Sequence, residues 1–139
     1  MKTGFIHLHN LIAWLLIAIL IVSVVLFFIN HAGKKTFSKL QNNLRLFAVV
    51  VSGLQLMVGF AVYFMKDWFY GFSQMSNSAI RFYVVEHPLM MLLGILFIHI
   101  GSSKIKRAPA ELKNKKGLIF FGISLVLILS RMPWDRLAI

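Results

Sequence analysis

HLHN at residues 7–10 and VEHP at residues 85–88 each set an imidazole at the edge of a long apolar run. Ionisable groups at that depth are costly to keep and mark functional positions. His9 lies seven residues past Lys2, and His87 lies six past Arg81. Each is therefore about 9–10 Å along its helix from the nearest charge, at 1.5 Å per residue. Gly59 lies seven residues before Lys66, at the same level on another segment. Two imidazoles at equal depth with a glycine beside them can hold a flat macrocycle. Haem iron takes histidine as an axial ligand, and facing helices build such sites from their inward side chains. The competing reading makes both histidines interfacial groups bonded to water or to Glu86. Glu86 is in turn either an orienting partner for a ring N–H or a solvated carboxylate.

The other histidines do not join this pair. His31 is 22 residues beyond His9 and His99 is 12 beyond His87. They sit some 15 Å apart in depth, and His99 is rotated about 120° from the His87 face. A second haem is not expected, and His7 and His31 read as interfacial residues. A tetrahedral zinc site needs three or four ligands together, which His9, His87 and Glu86 supply only as a weaker alternative. The absence of cysteine excludes disulfides, thiolate metal sites, iron–sulfur clusters and covalent attachment of a c-type haem. No nucleophile triad and no phosphate-cradling glycine loop is present.

These side chains need membrane helices to position them. Of the 139 residues 59% are hydrophobic, more than soluble domains carry, and the run Leu11–Ile29 is long enough to span a bilayer. No small-x-small cleavage site follows it, so the sequence predicts a retained helix. Four spans are expected, at about 5–30, 45–65, 79–101 and 117–133. Gly101-Ser102-Ser103 is expected to end the third helix and Pro133 the fourth.

The net charge of +11 is distributed as in membrane topology, and nucleic acid is not an expected partner. Lys34, Lys35, Lys39 and Arg45 fall between the first two runs, and Lys104, Lys106, Arg107, Lys113, Lys115 and Lys116 between the last two. The other five cations lie on the opposite side with three of the four acids. The positive-inside rule then puts both basic loops in the cytoplasm and both termini outside. The expected architecture is all-α, one domain, a transmembrane up-and-down four-helix bundle with periplasmic termini. Trp68, Tyr70 and Trp134 fall at the outer boundary, where amphipathic rings collect.

Helical phase separates His7 from His9, since positions two apart differ by about 200°. Steps of three and four from His9 pass Ala13, Leu16, Leu20, Ser23, Phe27 and Asn30; from His7 they pass Leu11, Trp14, Ala18, Val22, Val25 and Ile29. The small and polar series belongs to His9, which is expected to face inward. Ser52, Gln55, Gly59 and Tyr63 share a face of the second helix, and His87, Met91, Gly94, Ile98 and Gly101 one of the third. Gly122, Ser124 and Ser130 are the small residues of the fourth, of the kind that let membrane helices pack closely. Gln55 is expected to face the core and bond another helix. Pro88 disfavours helical geometry at His87, so the sequence predicts either a cap at His87 or a kink. Lys66, Arg81 and Arg131 are the cations placed to pair with haem propionates.

HLHNLIAW, LQLMVGFAVYF, RFYVVEHPLMMLLG, IGSSKIKR and the late Pro133-Trp134 together resemble a family of small bacterial four-helix membrane proteins described as cytochrome b-like. The likeness covers nearly the whole chain, with Pro88 a departure from its pattern. It implicates His9, Gln55, Gly59, Glu86 and His87. It implies one-electron transfer through a single bis-histidine haem b near the periplasmic face of the bacterial inner membrane. A quinol, a periplasmic carrier or a larger respiratory complex would be the partner. The alternative is a haem-free accessory or assembly subunit of such a complex. A transporter is disfavoured because no inverted repeat and no charged path crosses the midplane.

Overall fold

The computed structural model describes residues 1–136, and every regular element among them is helical. Helix α1 spans Lys2–Ala32 and α2 Lys39–Met65. A 3₁₀ turn follows at Trp68–Gln74, then the short α3 at Ser78–Arg81 and a π-helical turn at Phe82–Glu86. Helix α4 spans His87–Arg107 and α5 Ala110–Ser130. Helix α1 packs on α2 and α5, and α4 packs on α5 and α2, so the four long helices close a ring whose sparsest seam is α2–α4.

The helix ends differ from the sequence expectation for local reasons. Helix α2 begins at Lys39, because Ser38 and Gln41 form a capping box in which each satisfies a backbone N–H of the other. The segment left between the first two expected spans is thus helical from Lys39 onward. At the other basic corner the expected 101–117 loop shrinks to Ala108 and Pro109. Gly101 does not end α4; it is buried where the Phe120 side chain of α5 crosses it. Lys104, Lys106 and Arg107 sit in the last turn of α4, where cations complement the helix dipole. The Lys113 ammonium donates to the carbonyls of Ile105 (2.7 Å) and Lys106 (3.1 Å), closing that end.

Phase along α1 follows the sequence reading. Ala13, Leu16, Leu20, Ser23 and Phe27 are buried, while Leu11, Trp14, Ala18, Val22, Val25 and Ile29 are exposed. Gly117 rather than Gly122 is the close-packing glycine of α5: the Phe27 ring lies against it, and Gly122 faces open space. Ser124 is fully buried and donates to the Gly94 carbonyl at 2.8 Å; Ser130 is exposed and bonds within its own helix.

Three helical runs, Lys2–Ala32, Lys39–Met65 and Ser78–Arg107, are long and apolar enough to cross a membrane. Their outward faces carry large exposed apolar side chains such as Phe28, Phe47, Val50, Met57 and Leu96, a surface suited to lipid. Helix α5 differs. Glu111, Lys113, Lys115 and Lys116 occupy its first two turns. The uncharged part from Gly117 onward is roughly 21 Å long, short of a hydrocarbon core of about 30 Å.

Candidate functional site

At the end of the helices nearest the N-terminus, α1, α2, α4 and the C-terminal end of α5 enclose a cavity of about 340 Å³, at the small end of ligand pockets. His9 enters from α1, Gln55, Gly59 and Tyr63 from α2, and His87 and Met91 from α4. The equal depth inferred from spacing holds: a Cβ built on Gly59 would stand 3.1 Å from His9 Cε1. Gly59 therefore makes room for the imidazole itself, and not chiefly for the plane of a macrocycle as the sequence reading had it.

His87 is reached through the π turn. Its backbone is helical (φ −63°, ψ −53°), and its N–H reaches Phe82 O, one residue beyond the α-helical partner. The chain thus keeps helical geometry before Pro88 by widening one turn, which the sequence reading anticipated as a cap or a kink. Proline has no N–H to offer Val84 O, its α-helical acceptor. The Tyr63 hydroxyl of α2 donates to that carbonyl instead, at 3.2 Å. Val84 is buried, so Tyr63→Phe strands the carbonyl and should cost about 1–3 kcal/mol. Equilibrium unfolding in mixed micelles measures this, and an unshifted midpoint would mean that Val84 O finds another donor.

The imidazoles of His9 and His87 meet edge to face, ring centroids 6.4 Å apart and planes at 81°. His87 Nδ1 lies 2.8 Å from the Arg131 carbonyl. A carbonyl only accepts, so Nδ1 carries the proton and Nε2 keeps the lone pair. The ring also stacks on Phe82 at 6.0 Å. His9 Nε2 is 3.5 Å from the Gln55 amide nitrogen, a weak contact at the limit of hydrogen bonding. His9 Nδ1 and Gln55 Oε1 are buried with no hydrogen-bond partner among the described residues. Buried polar atoms are normally paired, so the cavity wall presents acceptor and donor capacity that the protein leaves unused.

Glu86 does not orient His87. Its carboxylate takes Arg81 Nε at 3.0 Å and Arg131 Nε at 3.3 Å, so its link to the imidazole runs through Arg131, whose carbonyl holds the ring. Arg81 and Arg131 are thereby engaged, and Arg81 also donates to Met75 O. The cations that line the cavity are Lys66 and Arg136. Arg136 was not anticipated from the sequence. Its guanidinium lies over the Tyr83 ring at 4.9 Å, and its carbonyl accepts from Asn10 at 3.1 Å. The PW-D-R segment after α5 gave no periodic signal to mark it. His7 and His31 are exposed, and His99, far from the pair, meets Ser52 Oγ at 3.2 Å across the α2–α4 seam.

Two imidazoles alone do not complete a protein metal site. Among the described residues no three of His, Cys, Asp and Glu gather closely enough to hold an ion, and with Glu86 turned to arginines the zinc alternative lacks its third ligand. Haem brings four donors of its own and asks the protein for two axial ones. The two imidazoles, close together in one cavity wall, are the residues that would hold such a group here. Compared with models of known families, with curated proteins and with solved structures, the chain matches none.

Proposed function

We propose that the protein is a b-type cytochrome-like electron carrier of the bacterial inner membrane, with one haem b between His9 and His87. The observation that carries this reading is the imidazole pair at 6.4 Å, supported by the unpartnered His9 Nδ1 and Gln55 Oε1 in the same wall. His87, its proton fixed on Nδ1 by the Arg131 carbonyl, would offer Nε2 to the iron. His9, seated over Gly59, would supply the second ligand. Lys66 and Arg136 would take the propionates as charge-assisted partners, replacing Arg81 and Arg131 in that role. Bound there, the haem supplies a one-electron couple, and the apolar wall keeps water away and tunes its potential. A quinol, a periplasmic carrier or a larger respiratory complex is the matching partner class.

A reduced-minus-oxidised absorbance spectrum of the purified protein tests this. A b-type α band is expected; a flat trace would overturn the assignment in favour of a haem-free accessory subunit.

The same reading takes the four long helices as an up-and-down transmembrane bundle with both termini periplasmic, supported by ten cations at one end against five at the other. The short apolar part of α5 spans by letting its lysine stems reach outward to the headgroups. The chain has no native cysteine, so single-cysteine labelling is clean. Gln74→Cys should react with an impermeant maleimide in intact spheroplasts, and Lys115→Cys only after lysis. The reverse pattern would invert the topology.

A further inference from the structure

The basic end of the molecule carries a second concavity, of about 380 Å³, lined by Ile100, Ser103, Lys104 and Arg107 of α4, the Ala108–Pro109 elbow, and Lys116 of α5. Ser103, Lys104 and Arg107 lie three, four and seven residues after Ile100, so one stripe of α4 runs from an apolar side chain to two cations. Lys116 faces that stripe from the partner helix. Ten cations share this end with a single acid, Glu111, which is not part of the cavity wall. Other cations here are engaged: Arg45 donates to Ser102 Oγ at 2.6 Å and to Asn42, and Lys113 donates to the α4 carbonyls. The ion pairs among the described residues involve Glu86 and Asp135, neither at this end. Lys104, Arg107 and Lys116 thus converge on one concavity with no carboxylate to neutralise them.

We propose that Lys104, Arg107 and Lys116 bind the phosphate of an anionic phospholipid, with an acyl chain descending past Ile100. Three observations select a lipid over another anion. The cavity lies at the edge of the helix ring, where the exposed Ile100 continues into the lipid-facing surface of α4. Lys116 sits six residues inside α5, about 9 Å along the helix from its first residue, directly before the uncharged stretch that begins at Gly117. An arginine fork beside two lysine point charges is the donor set that phosphate oxygens favour, and basic pockets between membrane helices on the cytoplasmic side are where such headgroups bind. The proposal is independent of the haem reading, since the concavity shares no residue with the histidine cavity.

The test is lipid retention by native mass spectrometry, on protein exchanged from detergent into mixed phosphatidylglycerol and phosphatidylcholine micelles. The wild type should retain one phosphatidylglycerol in preference to phosphatidylcholine. Each cation near an anionic headgroup contributes roughly fivefold to affinity, so the triple variant Lys104→Gln, Arg107→Gln, Lys116→Gln should lose retention by roughly a hundredfold. A control, Lys34→Gln, Lys35→Gln, Lys39→Gln, removes equal charge from the same end but spares the cavity and should retain the lipid. Because Lys116 is half-buried, the exposed pair Lys104→Gln, Arg107→Gln is measured as well and should lose roughly 25-fold. Equal loss in the control would reduce the effect to general electrostatics and overturn the site. So would equal retention of phosphatidylcholine, or displacement of the lipid by millimolar inorganic phosphate.

Discussion

His9→Ala and His87→Ala should each abolish the low-spin b-type spectrum, while His7→Ala, His31→Ala and His99→Ala leave it at wild-type intensity. The distinction is geometric. Only His9 and His87 bring their rings together at the histidine cavity, edge to face and 6.4 Å apart; His7 and His31 are exposed, and His99 is bonded to Ser52 on another seam. The two ligands are prepared differently. The Arg131 carbonyl fixes the proton and the orientation of His87, so that ring is held before any cofactor arrives. His9 has only the weak contact with Gln55 and the space above Gly59. Gly59→Leu should therefore behave almost as His9→Ala does, because even its Cβ would press on the ring. Full haem occupancy in His9→Ala, or none in the wild type, would remove the assignment. His9 would then be a half-buried packing residue near the N-terminal end of α1.

Much of this site was legible in residue types and spacing. Counting residues inward from Lys2, Arg81 and Lys66 put His9, His87 and Gly59 at one level, because rise per residue is nearly constant along a helix. Counting around α1 separated His9 from His7 for the same reason. What spacing could not supply was the partner of each polar atom. Glu86 adjoins His87 in sequence, yet consecutive residues on a helix point about 100° apart, and the carboxylate turns to Arg81 and Arg131. The acceptor for His87 is a backbone carbonyl just past the end of α5, which carries no side-chain signature. Pro88 announced a disturbance, but neither its resolution as a π turn nor the Tyr63 hydroxyl that meets the Val84 carbonyl from α2 is marked by spacing. The helix ends at the basic corners were misjudged because lysines and a Gly-Ser-Ser run read as loop. Helix α4 continues through them, its terminal cations facing its own dipole and its glycine admitting a neighbouring phenylalanine.

Two glutamines show where the same limit carries the largest cost in stability. The sequence drew attention to Gln55, an amide in the middle of an apolar run, and left Gln41 outside the expected spans. Gln41 is fully buried. Its Oε1 accepts from Asn30 Nδ2 and from Ser38 N, both at 2.8 Å, and its Nε2 donates to Asn114 Oδ1 at 2.8 Å. Asn114 in turn donates to Lys35 O at 2.9 Å. One amide therefore ties α1, α2, α5 and the α1–α2 corner together. The S-x-x-Q spacing of Ser38 and Gln41 was the available signal for it. Gln41→Leu leaves three groups without their partner, at about 1–3 kcal/mol for each that stays buried. Asn30 and Ser38 are only half-buried and recover some hydration, so the expected loss is roughly 3–5 kcal/mol. Gln55→Leu should cost no more than about 1 kcal/mol, since one of its polar atoms is unpartnered and the other is at the edge of bonding range. Equilibrium unfolding in mixed micelles, followed by circular dichroism, ranks the two. If Gln55→Leu lowers the midpoint as far as Gln41→Leu, the amide beside His9 carries a bond that its 3.5 Å contact does not provide, and the ordering derived from the two networks is wrong.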